Sequence, residues 1–421
     1  MYVQDEVIYV DDHIRLEETD SNIYLRDGSQ LIQNQDSKNS DIGELSVYQT
    51  PNVGPWEYNY WCSPVGVGTN SAVQGNVDFD ISNLHSPISL TLNETNSILH
   101  PTIGELSPNP GEIATVWFFH GESLGGYADW RKFFDHGLSA FTIYVTDPTV
   151  TTGYGHTMKG RRTDDTNRVI DMRGRPNNGT ISFNCIFTGT DTDPMSGLDN
   201  QVETLTGNPY PSAMDLKLFL ANPTNQTVLD GGIYFWEQKN VGTHTLAVYE
   251  GGYAVYTPGV LTDMADNGSY AVATFTTYHA DWGTDLITDE GNSPDYSANN
   301  QRRYAAIGQG FMVRSADNGG AAAGGTGVIN NSMRLYLKED SSSTGNGSVF
   351  RSSGSGTDDE VRETVTALSA NGIDYEYLIN NPYLVPEFRI HTKINDTYYR
   401  ENILAFRPDT CLLYTSPSPR D

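Results

Sequence analysis

VIYV at Val7–Val10, IRLEE at Ile14–Glu18, NIYLRD at Asn22–Asp27, QLIQ at Gln30–Gln33 and ELSVYQ at Glu44–Gln49 decide the architecture. Each is a short run rich in Ile, Val, Leu and Tyr, closed on both sides by polar turn residues, so each reads as a strand. Apolar positions alternate within the runs, which places one face in a core and the other in water. Strands this short, at near-even spacing, predict stacked coils of a β-helix or a small meander. A β-helix at this point would present an open upper edge to further coils.

Downstream, PNVGP at Pro51–Pro55 marks a boundary, and two segments of similar layout follow. The first opens with YNYWCSPVG at Tyr58–Gly66, the second with LTGNPYPSA at Leu205–Ala213. Each continues into an aromatic strand, VWFF at Val116–Phe119 and IYFW at Ile233–Trp236. Each then reaches a Gly-rich strand, GYGHTMKG at Gly153–Gly160 and GQGFMVRS at Gly308–Ser315. This order reads as a diverged duplication of one β-rich unit. Gly153, Gly155, Gly308 and Gly310 read as residues that permit tight bends.

The expected organisation is a β-helix-like or meander segment over 1–50, a first β unit over 51–187 and an acidic linker over 188–200. A second β unit over 201–367 and the start of further strands over 368–410 complete it. The fold class is all-β, with two related sandwich-like units and few short helices. Two helical turns are expected at Ala128–His136 and at Ala213–Ala221. CLLYTSPSPRD at Cys411–Asp421 departs from the acidic style before it and matches the translation of a transposase sequencing adapter. It is set aside as artefactual, which implies a natural chain cut near Thr410. Met1–Val10 lacks the basic start and apolar core of a secretion signal, so the N-terminus is expected to be incomplete as well.

The chain has 421 residues, with 53 acidic against 25 basic side chains and a net charge of −28. That surface repels phosphate backbones and anionic headgroups, which argues against nucleic-acid and membrane partners. It suits an extracellular protein, where acidic loops hold calcium. With Cys411 set aside, Cys62 and Cys185 remain, and they read as unpaired, buried thiols rather than a disulfide framework.

Candidate chemistry is sparse. Gly121-x-Ser123-x-Gly125 follows an apolar strand and fits a nucleophile elbow, with Asp215 and His279 as nominal partners for an esterase. The short strands that follow lack the α/β alternation an elbow requires, so the stretch reads as a Gly-rich hairpin tip. Asp191, Asp193 and Asp199 gather carboxylates in one loop, a candidate calcium site without EF-hand spacing, weighed against a solvated linker. His279, Asp281 and Asp285 form a weaker transition-metal candidate, and Asp164–Asp165 reads as surface charge. Trp61, Trp117, Trp130, Phe235, Trp236 and Trp282 are candidates for a sugar-stacking platform, although their strand positions assign most of them to the core. No catalytic residue is assigned.

YLRDGSQLIQ at Tyr24–Gln33, GELSVYQ at Gly43–Gln49 and YNYWCSPVG resemble large surface proteins of Bacteroidetes exported by the type IX secretion system. GNPYPSA, YFW, YAVYTPG at Tyr253–Gly259, GQGFMVR and NNSMR at Asn330–Arg334 occur there in the same order. The resemblance spans nearly all of Met1–Thr410. It implies a β-rich, multi-domain protein of the outer cell surface or medium, adhesin-like or structural, and supplies no catalytic residues. The expected function is a non-enzymatic adhesin module contacting extracellular glycan, matrix or cell surface. The alternative is an accessory region of a larger secreted hydrolase whose catalytic domain lies elsewhere.

Overall fold

In the computed structural model the described residues are 1–50, 56–68, 72–87, 97–99, 119–122, 129–132, 134–136, 143–145, 149–160, 169–186, 201–239, 249–278, 284–290, 302–316, 324–339, 387–394 and 398–405. The protein is all-β, built from several sheets, with two short α-helices among the described residues. It divides into two compact units, Met1–Gly356 and Thr357–Asp421. The described part of the second is one antiparallel hairpin, Glu387–Ile394 with Tyr398–Ala405.

The first 49 residues form stacked parallel coils. Strands β1 (Tyr2–Gln4), β2 (Val7–Val10) and β3 (Arg15–Leu16) make the upper coil. Beneath them lie β4 (Ile23–Arg26), β5 (Gln30–Gln33) and β6 (Ser40–Asp41), and β7 (Leu45–Gln49) begins the next turn. Pairing is parallel throughout: Tyr2 lies over Tyr24 and Tyr24 over Ser46, a step of 22 residues each time. This is the β-helix arrangement and not a meander, because a meander pairs antiparallel neighbours.

The alternation in the sequence explains the packing. Ile23, Leu25, Leu31, Leu45 and Val47 point into the coil and are buried. Asp5 and Asp27 turn the corner between the first two strands of each coil, and both take left-handed φ values, 55° and 52°. Aspartate tolerates that region better than most residues. Inside another corner, Asn39 and Gln33 exchange amide hydrogen bonds of 2.9 Å. Asn39 Oδ1 also accepts from the Ile14 N–H, and its Nδ2 donates to the Pro176 carbonyl.

The lower edge of the stack is closed from a distance. β7 pairs antiparallel with Ile170–Pro176, which pairs in turn with Leu84–Pro87, so one continuous sheet passes from parallel to antiparallel. A buried charge network lies on the far side of this junction. Asp171 accepts from Ser46 Oγ at 2.5 Å and from Arg173 Nε at 2.7 Å, while Arg26 donates to Ser46 Oγ and lies 3.6 Å over the Tyr48 ring.

The second large sheet runs Glu203–Gly207, Gly310–Arg314, Ile233–Gln238, Glu250–Thr257, Thr274–Tyr278 and Thr284–Glu290, all antiparallel. Its inner face, with Phe235, Phe311 and Val313, packs with Phe183, Phe219 and Tyr210 in one core. Helices α1 (Leu216–Ala221) and α2 (Pro223–Val228) adjoin this core. Ala213–Asp215 is strand, so α1 starts three residues later than expected, where the Asp215 carboxylate caps the N–H groups of Lys217 and Leu218. The expected helix at Ala128–His136 is not formed: Asp129–Lys132 and Phe134–His136 are strands. Pairing of Asp129–Lys132 with Phe119–Glu122 overrides the local helical spacing.

The two similar segments interlock. Ile181–Ile186 of the first pairs antiparallel with Gly324–Ile329 of the second. Both Gly-rich strands also converge on β8 (Tyr58–Trp61): His156 pairs with Trp61, and Trp61 bridges to Gln309. Gly153 and Gly308 do adopt left-handed φ, +95° and +70°. Gly155 and Gly310 serve a different purpose, because a Cβ on either would collide with a neighbour. It would lie 2.5 Å from Leu205 Cγ at Gly155 and 2.5 Å from the Trp61 nitrogen at Gly310.

Candidate binding surface

The outer face of the second large sheet carries a row of aromatic side chains. Trp236 and Tyr253 are directly opposed across neighbouring strands, with ring centroids 5.3 Å apart in an edge-on arrangement. Tyr60 comes from β8, nearly parallel to the Trp236 ring at 6.4 Å, and its hydroxyl lies 2.7 Å from that of Tyr253. Tyr234 extends the row, donating its hydroxyl to Asp230 at 2.6 Å under the guanidinium of Arg314. Trp236, Tyr234 and Tyr253 are half-buried around the small core of Tyr60, Leu205 and Met312. Gly251 is what lets the indole lie flat, since a Cβ there would stand 2.5 Å from Trp236 Cζ2. The indole N–H donates to Gln238 Oε1 at 3.1 Å. Such rings offer an apolar face with polar edges, the surface that stacks on the C–H face of a sugar.

Beyond Tyr60 on the same side of β8 lies a buried ammonium. Lys159 Nζ sits 4.6 Å from the Tyr58 ring and 4.8 Å from the Tyr249 ring, and it donates to the Tyr249 hydroxyl. Burial pulls its pKa down to about 7, opposed by the negative charge of Glu57. Tyr249 donates onward to the Trp56 carbonyl. At the other end of the row, Arg314 is paired with Glu203 at 2.8 Å. Both basic groups are thus engaged within the protein, Lys159 fully buried and Arg314 held by Glu203.

Other parts of the surface are less suited to a ligand. Phe79 and His156 stack at 4.6 Å beside a shallow dent with room for about one water, also lined by Ser63, Val150 and Asn177. The Asp171 carboxylate is already engaged by Arg173 and Ser46.

The residues singled out from sequence fare unequally. Asp191, Asp193 and Asp199 lie outside the described residues, as do Ser123, His279, Asp281, Trp117, Trp282 and the Asp164–Asp165 pair. Asp285 and Trp130 are on described strands whose side chains are not described. The strand Phe119–Glu122 pairs antiparallel with Asp129–Lys132. Asp215 is committed elsewhere, capping α1 and holding Arg303 through two contacts of 2.9 and 2.6 Å. Trp61 and Phe235 are core residues, and Trp236 is in the row. Cys62 and Cys185 are free and buried, with burial pushing the Cys185 thiol up to about 12. Among the described residues no group of three or more His, Cys, Asp or Glu is placed to hold a metal ion, and no helix among them is long and apolar enough to cross a membrane. Tyr60, Tyr234 and Tyr253 were not singled out, because their shared face depends on cross-strand register.

The fold thus defines an all-β protein in which a parallel coil stack merges into antiparallel sheets. Residues 119–367 match the family described as a domain of unknown function, DUF8693, and the chain belongs to that family. The match covers the outer sheet with Tyr234, Trp236 and Tyr253, and leaves the coil stack and Tyr60 outside. No curated protein and no solved structure matches the chain.

Proposed function

We propose that this protein is a non-enzymatic secreted or cell-surface module, adhesin-like or structural, that contacts extracellular glycan through the aromatic row. The observation that carries the reading is the set of half-buried rings Tyr234, Trp236 and Tyr253 on one face of the second large sheet, gathered around the buried Tyr60 of β8. Stacking supplies affinity that tolerates many sugars. The acidic composition and the order of motifs shared with type IX-exported surface proteins of Bacteroidetes support an extracellular setting. The test is a glycan array followed by calorimetry on the purified chain. At least one neutral polysaccharide should bind, and Trp236→Ala should weaken that binding by up to about tenfold, in line with the loss of one stacking ring. Absence of binding to any glycan, or equal binding by the variant, would remove the row from consideration.

A further inference from the structure

The Tyr234 end of the aromatic row carries polar side chains that stacking does not use. Strand register puts them on one face. Glu203 lies opposite Arg314 and Leu205 opposite Met312, and Tyr234 is also paired with Met312. Leu205 and Met312 form the small core beneath the rings. Glu203 and Arg314 stand two residues along the same strands, so they share the outer face with Tyr234. Asp230 joins them from the turn that precedes Ile233–Gln238.

Each of these groups is held by the protein alone. Asp230 Oδ1 accepts from the Gly232 N–H at 2.9 Å, and Oδ2 accepts from the Tyr234 hydroxyl at 2.6 Å. The Arg314 guanidinium lies 4.6 Å from the centre of the Tyr234 ring. Its Nε and Nη2 both donate to Glu203 Oε1, at 3.2 and 2.8 Å. Hydrogen-bonding capacity is left over. Each Asp230 oxygen keeps a second lone pair, and among the described residues nothing donates to Glu203 Oε2 or accepts from Arg314 Nη1. Solvent reaches all three residues: Asp230 is exposed, and the Arg314 and Glu203 side chains are 26% and 11% exposed.

We propose that Asp230, Glu203 and Arg314 determine the specificity of the aromatic row, selecting an uncharged sugar with adjacent hydroxyls and turning acidic glycans away. This rests on the reading of the row as a glycan surface. A pyranose stacked on Trp236 presents its hydroxyls at the ring edge. There a carboxylate accepts from neighbouring hydroxyls and a guanidinium edge donates to another. A sugar that lacks a matching hydroxyl leaves these groups unpaired and is disfavoured. Charge supplies the exclusion. Two carboxylates against one guanidinium leave this end of the row negative, which opposes a uronate or a sulfate.

The test titrates the full chain calorimetrically, in low salt, with galactomannan, xyloglucan and dextran as neutral polymers and polygalacturonate as the acidic one. The wild type should bind the best neutral polymer about tenfold or more tighter than polygalacturonate. Asp230→Asn removes one charge at an exposed position and should narrow that ratio by about threefold or more. Adding Glu203→Gln strips Arg314 of its counter-charge, and polygalacturonate should then bind at least as well as the neutral polymer. Trp236→Ala should weaken both kinds of polymer in parallel and leave the ratio alone. Thermal melts by circular dichroism establish that each variant is folded, and Asp230→Asn alone decides the matter if the double variant is not. An unchanged ratio in folded Asp230→Asn, with Trp236→Ala still weakening binding, would keep the row as a glycan surface and overturn the assignment of specificity. Equal or tighter binding of polygalacturonate by the wild type would overturn the exclusion of acidic glycans. Binding of none of the three neutral polymers would overturn the reading of the row and this proposal with it.

Discussion

Asp41 ends the second coil with its side chain in the interior. One carboxylate oxygen accepts from the Leu16 N–H at 2.8 Å, and the other is buried without a hydrogen-bond partner. Burial raises its pKa from 3.8 to about 6, against the pull of Leu16 N–H and Arg175. The fold therefore favours the protonated form. Its contribution to stability is complete below about pH 4 and is lost as pH rises through 6, an effect of order 3 kcal/mol at most. Asp41→Asn keeps the acceptor and removes the charge, so it should stabilise the protein by about 1–3 kcal/mol at pH 8 and hardly at all at pH 4. Urea unfolding at the two pH values checks this; an equal effect at both would place the cause outside ionisation. At this scale the sequence reveals turn chemistry such as Asp27-Gly28. It hides the stacking of Asp27 under Asp5 and their shared contact with Lys338, three hundred residues away in the chain.

The two Gly-rich strands separate two uses of glycine. At Gly308 the left-handed backbone is the constraint, and the nearest atom to an added Cβ is 3.5 Å away. At Gly310 the constraint is space, with the Trp61 nitrogen at 2.5 Å and the Tyr60 carbonyl carbon at 2.6 Å. Backbone atoms cannot swing aside as a side-chain tip does. Gly308→Ala should cost about 1 kcal/mol, and Gly310→Ala about 2–3 kcal/mol or more. Thermal unfolding of both variants orders them, and the reverse order would refute the packing argument. The repeat of Gly-x-Gly was legible in the sequence. Its convergence on one tryptophan was not, because that depends on which strands become neighbours. The aromatic row was missed for the same reason: Trp236 stands out as a residue, but Tyr253 joins it only through cross-strand register. Ala128–His136 read as helical because spacing along the chain carries no record of the strand that lies beside it.

Across the whole molecule, local patterning was enough for all-β character, since alternation and turns are short-range signals, but it left a β-helix and a meander both open over residues 1–50, because only the pairing direction separates them. The long-range pairings are what hold Met1–Gly356 together. Trp61 shares a core with Ala306 and Ile307, and Ile181–Ile186 relies on Gly324–Ile329. A fragment of residues 1–187 should therefore lack a cooperative thermal transition, whereas residues 1–356 should show one; cooperative melting of the shorter piece would contradict the interlocked sheets. The closure of the coil stack by Ile170–Pro176 also bears on synthesis. Gln49 meets its partner Ile170 only after some 120 further residues have been added, a wait of about 6–25 s at ordinary translation rates. Throughout that interval the nascent chain carries a bare parallel edge, and the core behind it still lacks Ile170 and Met172. An edge in that condition is a template for pairing with other strands until the returning one arrives.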